Sequence, residues 1–156
     1  MDIPCEIITK SPQETQSLGA GIGHRIKLQL ERRGEKCPTI VCLYGELGSG
    51  KTTFVQGFAK GIGLLRTRLL SPTFIIVRRY ELLPKPFCLY HVDLYRIEDS
   101  QSIHDLGLLE TFVNPSAIVA IEWAEKLGSL LPEKRIDIRF TALSDGSHKI
   151  FIQHEA

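Results

Sequence analysis

The eight residues Gly45-Glu46-Leu47-Gly48-Ser49-Gly50-Lys51-Thr52 constrain this chain more than any other stretch, because they satisfy G-x-x-x-x-G-K-[ST] in full. Directly upstream, Thr39 to Tyr44 is a continuous apolar, β-branched run closed by Gly45, the pattern of a parallel strand covered on both faces. Downstream, Phe54, Val55 and Phe58 recur at helical spacing, which predicts a helix from Lys51 to a glycine stop at about Gly61 or Gly63. Strand, glycine-rich loop and helix in that order separate a phosphate-binding loop from an ordinary glycine turn. Such a loop needs small residues because backbone N–H groups must come close to phosphate oxygens at the positive end of a helix. Lys51 then reaches the β- and γ-phosphates, and the Thr52 hydroxyl takes one position on Mg²⁺, so ATP and Mg²⁺ are the expected ligands.

The rest of the chain alternates in the same manner. Glu6 to Thr9 is a short apolar run, and Ser11-Pro12 marks the start of a helix to about Arg33, with Gly34 as its stop. Leu18, Ile22, Ile26 and Leu30 define its apolar face, while Gly19, Gly21 and Gly23 count against helix propensity. Thr73 to Leu82 and Phe87 to Tyr95 read as extended segments of a hairpin joined by Leu83-Pro84-Lys85-Pro86. Asp105 to Phe112 reads as a short helix, Ala117 to Ile121 as a second buried strand, and Arg135 to Thr141 with Lys149 to Gln153 as a closing hairpin around Asp145-Gly146. The predicted fold is therefore α/β, a three-layer P-loop NTPase arrangement with a parallel core and antiparallel hairpins. At 156 residues the chain suits one domain, residues 1–156.

A phosphate loop needs a carboxylate near Mg²⁺, usually at the end of a neighbouring hydrophobic strand. Glu122 closes Ala117 to Ile121, and Asp93 closes Cys88 to Val92. Ser71-Pro72-Thr73-Phe74 follows the loop helix, where nucleotide switches sense a γ-phosphate, so Ser71 and Thr73 are candidate contacts beside the reading as a plain turn. Trp123 is the sole tryptophan and reads equally as core or as a wall beside the nucleotide. His91 reads as a core histidine, and His24, His104, His148 and His154 show no metal-ligand spacing.

Nineteen basic against eighteen acidic residues give a net charge of +1, so no global positive field draws the chain to nucleic acid. The runs Arg32-Arg33-Lys36 and Arg66, Arg68, Arg78, Arg79 read as solvated faces. Cys5, Cys37, Cys42 and Cys88 form no C-x-x-C pair and read as buried reduced thiols without disulfides. No leader pattern and no membrane-length apolar run is present, which predicts a cytoplasmic protein with no membrane partner.

Taken together, Gly45 to Thr53, Ser71-Pro72-Thr73-Phe74, His91-Val92-Asp93-Leu94-Tyr95-Arg96 and Glu122-Trp123-Ala124-Glu125 closely resemble the bacterial TsaE (YjeE) family, from about Thr9 to Glu125. The resemblance implies a small ATPase needed for N6-threonylcarbamoylation of adenosine 37 in tRNAs that read codons beginning with A. It implies a TsaD–TsaB heterodimer as partner, reset between turnovers by ATP hydrolysis, with tRNA met only through that complex. By position it makes Thr52 and Glu122 Mg²⁺ contacts, Lys51 the phosphate lysine, Asp93 a metal-shell or water-orienting carboxylate, and Trp123 a neighbour of the nucleotide. Glu46 and Ser49 depart from the Asp and Ala common in the family, and Leu30 to Pro38 is long and basic for it. A small-molecule kinase and a module that uses nucleotide only as a structural ligand are the competing readings; released phosphate argues against both.

Overall fold

The computed structural model describes residues 3–33, 37–64 and 76–155. Among them, seven strands form one mixed sheet: β1 Cys5–Thr9, β2 Thr39–Tyr44, β3 Val77–Glu81, β4 Cys88–Asp93, β5 Ala117–Glu122, β6 Arg135–Ala142 and β7 His148–Glu155, in the order β1-β7-β6-β2-β5-β4-β3. β6, β2, β5 and β4 run parallel, while β3 pairs antiparallel with β4, β7 with β6 and β1 with β7. All six residues of β5 are buried, as its unbroken apolar run requires of a strand covered on both faces.

Two helices, α1 Pro12–Arg33 and α2 Lys51–Ile62, cover one face, where Ile22, Ile26, Phe54 and Phe58 meet Val41, Leu43, Ala120 and Ile138. On the other face α3 Ser100–Asp105, α4 Leu108–Thr111 and a 3-10 segment Ala124–Leu130 bring Ile103, Leu108 and Leu127 onto Cys42, Val119 and Ile121. Three layers with a parallel core result, the α/β class expected. The strand, loop and helix around Lys51 fall where the sequence placed them, and Gly63, at φ 117, caps α2.

The N-terminus of α1 follows from a serine cap and from Glu14 reaching back to the amide before it. Ser11 Oγ accepts from the Glu14 amide at 3.1 Å, and Glu14 Oε2 accepts from the Lys10 amide at 2.6 Å. Its glycines have a use that propensity does not show. A Cβ on Gly19 would lie 2.2 Å from the Phe54 carbonyl oxygen, and one on Gly57 of α2 would lie 2.0 Å from the Gln16 carbonyl oxygen. Gly23 and Gly61 are equally confined, so the two helices meet backbone to backbone along a glycine seam.

Several boundaries differ from expectation. The helix expected over 105–112 is two short ones, because Asp99 accepts from the Ser102 amide at 2.8 Å to start α3 early and Gly107, at φ 71, breaks the run. The first hairpin spans β3 and β4, and the part expected from Thr73 to Ile75 lies outside the described residues, as do Gly34, Lys36, Arg66 and Arg68. Arg79 is exposed and pairs with Glu81 at 3.2 Å. All four cysteines are free thiols, but only Cys42 is buried; Cys5 and Cys88 are half-buried and Cys37, ahead of β2 rather than in it, is exposed. No helix among the described residues is long and apolar enough to cross a membrane.

Candidate functional site

The site forms where β2, β4 and β5 end together. Glu122, the last residue of β5, stands in register with Leu43 of β2 and Asp93 of β4, so parallel pairing alone brings both candidate carboxylates beside the loop that leaves β2. That loop turns tightly at its glycines. A Cβ on Gly45, at φ 147, would come within 2.7 Å of both the Phe140 carbonyl and Ser49 Oγ, which only glycine tolerates. The Ser49 amide donates to the Glu46 carbonyl at 3.1 Å, and the Phe54 amide donates to the Gly50 carbonyl at 2.9 Å as α2 begins.

Lys51, the first residue of α2, is only 5% exposed. Its Nζ donates to the Gly45 carbonyl, to the Glu46 carbonyl at 2.8 Å and to Ser49 Oγ at 3.4 Å, and it lies 4.5 Å from the centre of the Trp123 ring. Burial holds the ammonium below the usual lysine pKa, opposed by the charges of Glu122, Glu125 and Asp93. Thr52 Oγ1 donates to Glu122 Oε1 at 2.7 Å, while the other oxygen of the same carboxylate lies 2.6 Å from His91 Nε2. Asp93 Oδ1 accepts from the Tyr95 amide at 3.0 Å, and burial, reinforced by the Glu122 charge, pushes its carboxyl up.

Trp123 has φ 59, the one non-glycine residue with positive φ among those described, a conformation that costs a bulky residue about 1–3 kcal/mol. Tyr95 holds the ring at 5.0 Å between centroids, and Lys126 Nζ ties this segment to the turn after β4 by donating to the Tyr95 carbonyl at 3.0 Å and the Ile97 carbonyl at 2.8 Å. Trp123 is half-buried: it packs against the core cluster that includes Val119 and Ile121 and also borders the cavity.

These groups border a cavity of about 420 Å³. Leu47, Gly48, Gly50, Lys51, Thr52, Thr53, Asp93, Glu122 and Trp123 line it, all of them sequence candidates. Gly45, Glu46 and Ser49 do not; they shape the loop and hold Lys51 from behind. Ser71 and Thr73 lie outside the described residues.

Two histidines belong to the site that the sequence left without a role. His91 is fully buried, as a core histidine would be, yet it bonds Glu122. The signal was its two-residue spacing from Asp93, which puts both on one face of a strand. His148 of β7 donates from Nδ1 to the Ser49 carbonyl at 2.5 Å and lines the cavity with Pro12 and Thr15. No local pattern predicts that contact, because its partners lie 99 residues apart.

A parallel strand feeding a glycine loop at a helix start, with a carboxylate at the end of the adjacent strand and a half-open cavity beside them, defines a P-loop NTPase fold. The chain belongs to the TsaE family: the family described as "Threonylcarbamoyl adenosine biosynthesis protein TsaE" matches residues 9–150. It is 35% identical to the tRNA threonylcarbamoyladenosine biosynthesis protein TsaE of Bacillus subtilis, across 91% of this chain and 80% of that protein. It is 33% identical to the protein of the same name in Treponema pallidum, across 93% and 97%. The crystal structure of Bacillus subtilis YdiB superposes with a TM-score of 0.74 at 28% identity, covering 100% of this chain and 88% of that one.

Proposed function

We propose that this chain, acting as one domain in the cytoplasm, is a Mg²⁺-dependent ATPase required for N6-threonylcarbamoylation of adenosine 37 in tRNA. Its hydrolysis is switched on by a TsaD–TsaB heterodimer, through which alone it meets tRNA. The observation that carries this reading is the direct bond from Thr52 Oγ1 to Glu122 Oε1 at 2.7 Å, next to a buried Lys51 on the loop. The names borne by its relatives supply the pathway.

Mg²⁺ in nucleotide sites is bound through one or two carboxylates, waters and substrate phosphates, not by an all-protein cage. The residues here fit such an ion: the Thr52 hydroxyl and the Glu122 carboxylate stand together, Asp93 is in register beside Glu122, and no cluster of three His, Cys, Asp or Glu among the described residues holds a metal by itself. The ion's chemistry is to neutralise charge on the β- and γ-phosphates. The chain does the rest. Loop amides from Gly45 to Thr53 bind the phosphates at the start of α2, and Lys51, exchanging the Gly45 and Glu46 carbonyls for phosphate oxygens, stabilises charge that grows in the transition state. Asp93, whose carboxyl is pushed up by burial, orients the attacking water or completes the metal shell. Trp123 walls the site from bulk water. Slow turnover by the isolated chain follows if docking completes this constellation.

The test is inorganic phosphate release by the purified protein, alone and with TsaD–TsaB from the same source, with Lys51→Ala as control. Stimulation that the variant lacks is the expected result. ATP binding with no phosphate in either condition overturns the ATPase reading, and a phosphorylated small-molecule product replaces it with a kinase.

A further inference from the structure

We propose that His91 is a positioning residue for the metal-binding carboxylate: it fixes Glu122 in the orientation that presents Oε1 to Thr52 and to the nucleotide's divalent cation. This inference rests on the function proposed above. Each oxygen of Glu122 has its own partner, Thr52 Oγ1 at 2.7 Å on Oε1 and His91 Nε2 at 2.6 Å on Oε2, so the carboxylate plane is pinned at both ends. Thr52 and Glu122 both line the cavity, whereas His91 is fully buried behind the carboxylate, so water cannot substitute for the His91 contact.

What separates this from packing is the other ring nitrogen. Among the described residues His91 Nδ1 is buried with no hydrogen-bond partner. A histidine serving only the core satisfies its polar atoms, since buried polar groups without partners are rare and costly. Here one nitrogen goes without, and the ring is aimed at Glu122. An ionised carboxylate can only accept, so the shared hydrogen sits on Nε2. A hydrogen on Nδ1 would be a buried donor without an acceptor, so the contacts favour the ring hydrogen on Nε2. The backbone explains the reach: His91 stands in register with Ala120 on β5, two residues before Glu122 on the same face, and the small alanine leaves room for the ring to extend to the carboxylate.

Groups that hold a metal ligand from behind typically contribute about 10–100-fold to metal affinity or activity. Three proteins test the assignment: the parent, His91→Phe, which keeps an apolar ring but loses the donor, and His91→Gln, whose side-chain amide N–H takes the place of Nε2–H. Two quantities are read, the Mg²⁺ concentration for half-maximal phosphate release, and ATP affinity from Trp123 fluorescence in Mg²⁺ and in EDTA. His91→Phe is expected to raise the Mg²⁺ requirement about 10–100-fold and to lose the affinity gained from Mg²⁺, with ATP affinity in EDTA unchanged, and His91→Gln to recover most of both. Parental Mg²⁺ dependence in His91→Phe, or identical behaviour of the two variants, overturns the proposal. A measurement on the parent needs neither turnover nor a foldable variant: the long-range ¹H–¹⁵N spectrum of ¹⁵N-histidine protein should show His91 protonated at Nε2 and bare at Nδ1. The opposite tautomer refutes the contact. If the parent releases no phosphate, the ATPase reading fails, while the spectrum and the binding comparison still decide the role of His91.

Discussion

Asp93 shows at the scale of one residue how a site sets stability against chemistry. Burial and the neighbouring Glu122 push its carboxyl up, so its ionised form is disfavoured in the fold. A group raised in this way contributes stability fully below the ordinary carboxylate pKa and loses it as the pH rises through the folded value. Asp93→Asn keeps an oxygen for the Tyr95 amide and removes the charge, so at neutral pH it should raise Tm by about 1–3 °C while phosphate release falls, and the Tm gain should vanish on acidification. Thermal melts from acid to neutral pH check this. Cys42 offers a second residue-scale expectation. Burial, aided by the Asp137 charge, pushes its thiol up to about 12, whereas Cys37 is exposed. With a thiol-alkylating reagent at mildly alkaline pH, mass spectrometry should find Cys37 modified first and Cys42 untouched until the protein unfolds.

At the scale of elements, the seam between α1 and α2 decides the sign of glycine substitutions that propensity alone would treat alike. Alanine in place of glycine gains about 0.5–1 kcal/mol in a helix interior. Gly21 faces open space, so Gly21→Ala should stabilise by about that amount. Gly57→Ala would drive a methyl to 2.0 Å from the Gln16 carbonyl oxygen, where only a backbone shift relieves it, so a net loss of about 1–3 kcal/mol is expected in urea denaturation. The shift would also move α2, whose first residues are Lys51 and Thr52, so Gly57→Ala should weaken nucleotide binding although it lies outside the cavity. Periodicity located the apolar face of α1, with Ile22 and Ile26 buried as expected, but it could not tell a glycine under a neighbouring backbone from one facing solvent.

At the scale of the whole molecule, a ligand that binds only the folded state stabilises by mass action. ATP with Mg²⁺ at about 100 times its Kd should add about 2.7 kcal/mol to the unfolding free energy. EDTA should remove most of that gain and Lys51→Ala nearly all of it, both read by thermal melts; an unshifted Tm in the parent would count against the nucleotide site. The loop, its flanking strand and helix, and the carboxylates at 93 and 122 were legible from the sequence because each is a local pattern: an apolar run, a fixed glycine spacing, an acid at a strand end. So was the family, whose motifs follow in order along the chain. What no local pattern contains is pairing between distant segments. The parallel register of β2, β4 and β5 decides that Glu122 meets Thr52 and that Asp93 stands beside it, and the pairing of β7 with β6 and of β6 with β2 brings His148 to the Ser49 carbonyl. His91 passed for a core histidine because burial is written in its neighbours along the strand, whereas its hydrogen bond depends on a carboxylate 31 residues away that only the closed sheet brings to it.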